Sequence, residues 1–275
     1  MGVSESSVLT AALFCVGVAF VAYAAHLARG GRWPGRLGTG ASLVGLLALT
    51  LGLALRAIEA GHWPLASSYE FALAFVGGIV LVYLVLERAL GTRAGGAFIL
   101  PIALALGIYA LTRPESAKAP QPLVPALQSI WFQLHVITAV VAYGAFAAAG
   151  GLGVMYLARE RASNPVAQLP SLERIDQFTW RAVALGFPWM SLAILLGAIW
   201  AQFAWGSYWS WDIKETWALI TWLVYLLFLH ARALRGWRGR RIAVLSIVGF
   251  LAVLFTFLGV GTLARWAGLE SLHVY

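Results

Sequence analysis

Charge is what this sequence has least of. Only 11% of its 275 residues are Asp, Glu, Lys or Arg, whereas a soluble domain carries about a quarter. That deficit argues against a water-soluble enzyme or binding module. Cysteine is scarcer still: the one thiol, Cys15, sits inside the first apolar run. No disulfide can close within the chain, and neither a C-x-x-C redox pair nor a C-x-x-C-H haem-attachment site exists. Cys15 reads as a small buried hydrophobe. The first apolar run also lacks a basic segment before it and is long enough to span, so a retained helix is expected rather than a cleaved signal.

What the chain has instead is hydrophobicity. Apolar residues make up 61% of it, gathered in runs of about 20 residues, the length that crosses a bilayer. The pattern predicts an all-α, polytopic integral membrane helix bundle forming a single transmembrane domain over residues 1–275. Eight spans are expected, at roughly 7–28, 37–57, 69–88, 95–112, 129–157, 178–204, 217–234 and 242–266. The fifth is overlong and is expected to extend beyond the bilayer. Pro- and Gly-rich connections such as GGRWPG, GHWP and RPESAKAPQPLVP separate the runs.

The net charge of +8 does not point to nucleic acid. Its arginines sit in short clusters between apolar runs, as in cytoplasmic loops beside anionic lipid. Loops one, three, five and seven hold Arg29, Arg32 and Arg36; Arg88 and Arg93; Arg159, Arg161 and Arg174; and Arg232, Arg235, Arg238, Arg240 and Arg241. The opposite side has only Arg56, Arg113, Lys118, Lys214 and Arg265. Both termini are therefore expected outside. The same reading puts outside the tryptophan-rich segment 205–217, WGSYWSWDIKETW.

This topology sorts the five histidines. His135, near the outer end of span five, and His273, in the tail after span eight, share a side with the tryptophan segment. His26 and His230 fall near inner ends, and His62 in the outer loop GHWP. For His26 an interfacial position is the simpler reading, and for His62 a loop hydrogen bond. An imidazole inside a span is costly without a partner, so His135 is a functional candidate by default.

Neutral imidazoles suit Zn, Cu and Fe. Here the neighbours are flat aromatics rather than thiolates or further ligating carboxylates. Six of the thirteen tryptophans lie between Trp200 and Trp222. Paired His ligands beside an aromatic platform suit haem, with Lys214, Arg56, Arg113 and Arg265 as outer cations for its propionates. The alternative is an interfacial aromatic belt. A belt would spread over all the outer ends, and concentration in one loop argues against it.

The stretch WGSYWSWDIKETWALITWLVYLLFLHAR resembles the WWD signature of haem-handling membrane proteins. It is most similar to the CcsA (ResC) family of System II cytochrome c maturation. GHWPLASSYEFALAF, PALQSIWFQLHV, LGFPWMSLAILLGAIWAQFAWG and the ending GVGTLARWAGLESLHVY agree, so the resemblance runs from about residue 55 to the end. Ile213 departs from the family's WDPKE, where proline is usual, and LHVY replaces the terminal HSY.

The resemblance implies a haem-handling subunit of a cytochrome c synthase (haem lyase) complex. Such a subunit works with a CcsB/ResB-like membrane protein in the bacterial cytoplasmic membrane or a thylakoid equivalent. It would move haem outward and present it for thioether attachment to the C-x-x-C-H motif of apocytochrome c. Haem b would be its bound substrate, at up to two sites. His135 and His273 match the family's outer axial ligands of the haem iron, and His230, within the LHxR pattern, matches the ligand of an inner site. Trp205, Trp209 and Trp211 would form the platform, with Asp212, Lys214 and Glu215 orienting propionates or the incoming substrate. No residue is assigned as catalytic. The readings left open are a System I-like WWD haem exporter or chaperone, a haem b electron-transfer subunit, and a transporter without haem.

Overall fold

The computed structural model describes residues 4–162 and 167–267, with Arg265 and Ala267 described through their backbone alone. The described residues are helical, without strands. Ten α-helices follow in order: α1 (Glu5–Arg29), α2 (Arg32–Ala60), α3 (Ser68–Leu90), α4 (Gly96–Leu111), α5 (Glu115–Lys118), α6 (Ile130–Arg161), α7 (Leu172–Trp205), α8 (Ile213–Ala233), α9 (Arg240–Leu254) and α10 (Val260–Ala267).

Continuous apolar runs of this length form helices, because a backbone in lipid must satisfy its hydrogen bonds and a barrel strand would alternate apolar and polar residues. Polar side chains mark where helices begin. Ser4, Ser129 and Ser171 cap α1, α6 and α7 with their side chains. Reciprocal capping boxes open α3 (Ser67 with Glu70) and α8 (Asp212 with Glu215). Gly61, Gly91 and Gly206 close α2, α3 and α7 in the left-handed conformation.

Among the described residues, seven helical stretches are long and apolar enough to cross a membrane. The chain is an integral membrane protein. The fourth expected span differs: α4 has 16 residues, about 24 Å at 1.5 Å per residue, against a hydrocarbon core of about 30 Å. At 32 residues α6 is longer than a bilayer crossing needs. The last span is also not one regular α-helix. A π-helical turn, Phe255–Gly259, joins α9 to α10.

The bundle is built round α6. One side of it packs on α3 and α4, which continue into α1 and α2, and the other side packs on α7 and α9, with α8 beyond. Its run Ala142–Gly153 is buried throughout and is Ala or Gly except at Tyr143, Phe146 and Leu152. Small residues let helix backbones approach closely where lipid offers no hydrophobic drive to associate. A Cβ on Gly144 would lie 2.9 Å from the carbonyl carbon and oxygen of Gly78 in α3.

Charges buried in the bundle are paired. Arg56, 1% exposed, donates to Glu70 at 2.6 Å and to Glu5 at 3.2 Å, and so ties α2 to α3 and α1. Glu87 accepts hydroxyl hydrogen bonds from Tyr23 at 2.6 Å, Tyr83 at 2.9 Å and Thr39 at 2.6 Å, with Arg93 3.4 Å away. Asp176 of α7 pairs with Arg232 of α8.

Candidate functional site

One end of the bundle, where α3, α6 and α8 begin and α7 ends, encloses a cavity of about 1210 Å³ including its mouth. Phe71, Phe132, Met190 and Ile194 make it apolar, and its polar groups include His135, Trp209, Lys214 and Glu215.

His135 sits one and a half turns into α6, its imidazole against α7. Nδ1 lies 2.7 Å from the Ala193 carbonyl oxygen. A carbonyl only accepts, so Nδ1 carries the proton and Nε2 is the basic nitrogen of that tautomer. A hydrogen bond of this kind fixes both the orientation of the ring and its tautomer. Two features hold the ring. It stacks on Trp200, at 6.1 Å between centroids and 20° between planes. A Cβ at Gly197 would come within 2.8 Å of Nδ1, so only glycine lets the imidazole reach α7. Trp200 is itself fixed: it is 2% exposed, its Nε1 donates to the Ala126 carbonyl at 2.7 Å, and Phe132 and Trp205 pack on it at 5.0 and 4.8 Å.

The tryptophan segment forms the connection from α7 to α8, and its members separate into three roles. Trp209 and Tyr208 line the cavity. The Trp209 Nε1 is buried with no hydrogen-bond partner among the described residues, and such a donor is costly unless a ligand satisfies it. Trp205 packs on Trp200 outside the lining. Trp211 is 69% exposed and has a positive φ of 60°, an outlier for a bulky residue. It meets Trp209 edge to face at 5.8 Å.

The acidic residues of the segment shape the loop. Asp212 is the N-cap of α8 and accepts the Lys214 amide at 2.8 Å. Glu215 accepts from the amides of Ser210 at 2.8 Å and Asp212 at 3.2 Å. Ile213, the departure from proline, is the first residue of α8. Proline favours that position because its missing N–H would be unpaired there anyway, so isoleucine leaves the backbone path intact.

Two wall residues had no counterpart in the sequence reading. Thr256 and Phe257 belong to the π turn. Thr256 bonds the Thr221 hydroxyl at 3.0 Å and the Ala252 carbonyl at 2.8 Å, and Phe257 packs on Phe71 at 4.9 Å. A π turn shifts the register of side chains within a helix and often sits at a functional site.

Other predicted residues lie elsewhere. His230 is exposed near the far end of α8, sixteen positions from Lys214 and about 24 Å along the axis. His273 lies outside the described residues, as does the side chain of Arg265. Arg56 is engaged by Glu70 and Glu5, so it is not one of the open cations expected there. The Arg113 guanidinium lies 5.5 Å from the centre of the Tyr109 ring, with Nε buried and without a hydrogen-bond partner among the described residues. His62 directs its two ring nitrogens at the carbonyls of Trp63 and Gln121, at 2.9 and 3.0 Å. His26 donates from Nδ1 to Gly31 at 2.8 Å.

Residues 65–266 match the family model described as cytochrome C assembly protein. The chain is 36% identical over 287 residues to the cytochrome c biogenesis protein CcsA of Synechococcus elongatus, covering 87% of each chain. It is 33% identical to CcsA of Nostoc, covering 97% of this chain and 93% of that one. It is 37% identical to CcsA of Chlamydomonas reinhardtii, over 83% of this chain and 65% of that one. Among solved structures, the cytochrome c haem lyase CcmF superposes with a TM-score of 0.64 at 15% identity. That likeness covers 99% of this chain but only 53% of CcmF, and it is one of fold. The family model over most of the chain and these relatives show that the chain belongs to the CcsA family of cytochrome c assembly proteins.

Proposed function

We propose that this chain is the haem-handling subunit of a System II cytochrome c synthase. It would work beside a CcsB-like partner and hold haem b in the cavity below the tryptophan segment. The observation that carries this reading is the convergence on one apolar cavity of three groups that haem needs. His135 offers Nε2 as a ligand, the unpartnered Trp209 Nε1 offers a donor, and Lys214 offers a cation for a propionate. Zinc or copper fits less well, because no group of three or more His, Cys, Asp or Glu able to hold a metal ion occurs among the described residues.

In this reading His135 holds iron, oriented by Ala193 and Trp200. Trp209 and Lys214 orient the propionate edge, and Asp212 and Glu215 keep the loop in shape. His273 supplies the second outer ligand, and His230 serves a separate site towards the inner side. The reaction served is addition of two cysteine thiols of C-x-x-C-H across the haem vinyl groups, each S–H adding across a C=C to give a thioether. The protein's contribution is positioning, which turns a two-body encounter into a local one. The tryptophan segment faces the periplasm or its thylakoid equivalent.

The test is haem content and maturation of a C-x-x-C-H reporter, measured on the chain purified with its partner. His135→Ala is expected to remove most of the outer-site haem, and Trp209→Phe to reduce it while leaving the protein folded. Full haem absorbance in both variants contradicts the reading.

A further inference from the structure

At the opposite end of the bundle a second, polar cleft, about 1920 Å³ with the open space at its mouth included, lies between the start of α7, the end of α8, the connection to α9, and Tyr156 of α6. Four arginines line it, Arg174, Arg181, Arg232 and Arg238, against two carboxylates, Glu173 and Asp176.

These charges are not equivalent. Arg232 and Asp176 have side chains 8% exposed and are paired with each other. Asp176 also accepts the Gly239 amide at 2.8 Å. This pair ties α7 to α8 and to the entry of α9, and it makes the rigid floor. The other three arginines are exposed and face Glu173 as the one lining carboxylate not already matched. Arg174 gives one N–H to the Ala89 carbonyl at 3.3 Å, and Arg181 lies 5.0 Å above the Phe178 ring. Both keep most of their donors for something else. Guanidinium forks match the geometry of phosphate oxygens. Trp180 also lines the cleft, and tryptophan is a residue of the membrane–water interface. Basic pockets between helices at that level hold anionic headgroups.

We propose that this cleft binds a phosphate group through Arg174, Arg181 and Arg238. Its position where the helices leave the bilayer makes an anionic phospholipid headgroup one source, and free phosphate is the other. The site is independent of the haem reading.

The test is a thermal-shift titration of the full chain, purified with its partner in detergent. Three probes are used: dihexanoyl phosphatidylglycerol, dihexanoyl phosphatidylcholine and inorganic phosphate. A saturable rise in Tm with phosphatidylglycerol and none with phosphatidylcholine is expected. An equal rise with inorganic phosphate at the same concentration identifies free phosphate as the source, and its lack identifies the headgroup. Replacing Arg174, Arg181 and Arg238 together by Gln should raise the half-saturating concentration on the order of a hundredfold, about fivefold per arginine. Replacing the same three by Lys should retain most of the response. If the triple Gln variant folds poorly, Arg238→Gln alone, in an exposed connection, should show the fivefold shift. Equal responses to the two lipids, or unchanged half-saturation in the Gln variants, overturn the proposal.

Discussion

At the scale of single residues, the site depends on groups that touch His135 rather than on His135 alone. Gly197→Ala puts a methyl within 2.8 Å of Nδ1 and should break the bond to Ala193. Haem retention should fall about ten- to a hundredfold, the usual cost of losing the hydrogen bond that orients a ligating imidazole, with the fold unchanged by circular dichroism. Asp212 separates two roles. Asp212→Ala should cost about 1 kcal/mol of stability as a lost N-cap, and Asp212→Ser should recover it. If Ser restores stability but not haem content, the carboxylate also acts on the ligand directly. His135 was legible because a lone imidazole in an apolar run needs a partner. Gly197, Ala193 and Trp200 were not, since no local pattern pairs position 135 with a helix some sixty residues later. The capping box Asp212-x-x-Glu215 is readable from spacing alone.

At the scale of elements, hydropathy located all the long helices, because apolar length is a direct consequence of bilayer thickness. It placed α4, expected at 95–112, to within one residue at each end, but did not distinguish this 16-residue helix from a spanning one. Nor did it show the π turn, which has no side-chain signature. Packing was equally hidden: the Ala/Gly run of α6 is visible as composition, but the neighbour of each glycine is a tertiary fact. Gly144→Ala should destabilise the bundle by about 1–3 kcal/mol, as overpacking does, because its methyl meets the Gly78 backbone at 2.9 Å. Reversible unfolding in mixed micelles measures this. Thr138→Ser, in the same helix and hydrogen-bonded to Leu134 at 2.8 Å, should change stability by much less.

At the scale of the whole molecule, the two ends differ in kind, one an aromatic cavity and the other an arginine-lined cleft. In the proposed orientation, read from the distribution of basic residues, they face opposite sides of the membrane. With Cys15 replaced by Ala, a membrane-impermeant maleimide should label Ser207→Cys from outside in intact cells. It should label Arg235→Cys only after the cells are opened. The central claim is that His135 ligates haem in the outer cavity. Its most direct measurement is the reduced-minus-oxidised spectrum of the purified complex carrying His135→Ala, with and without added imidazole. The account predicts a diminished haem signal that imidazole partly restores, together with cytochrome c assembly. A spectrum identical to that of the unaltered complex, insensitive to imidazole, would contradict it.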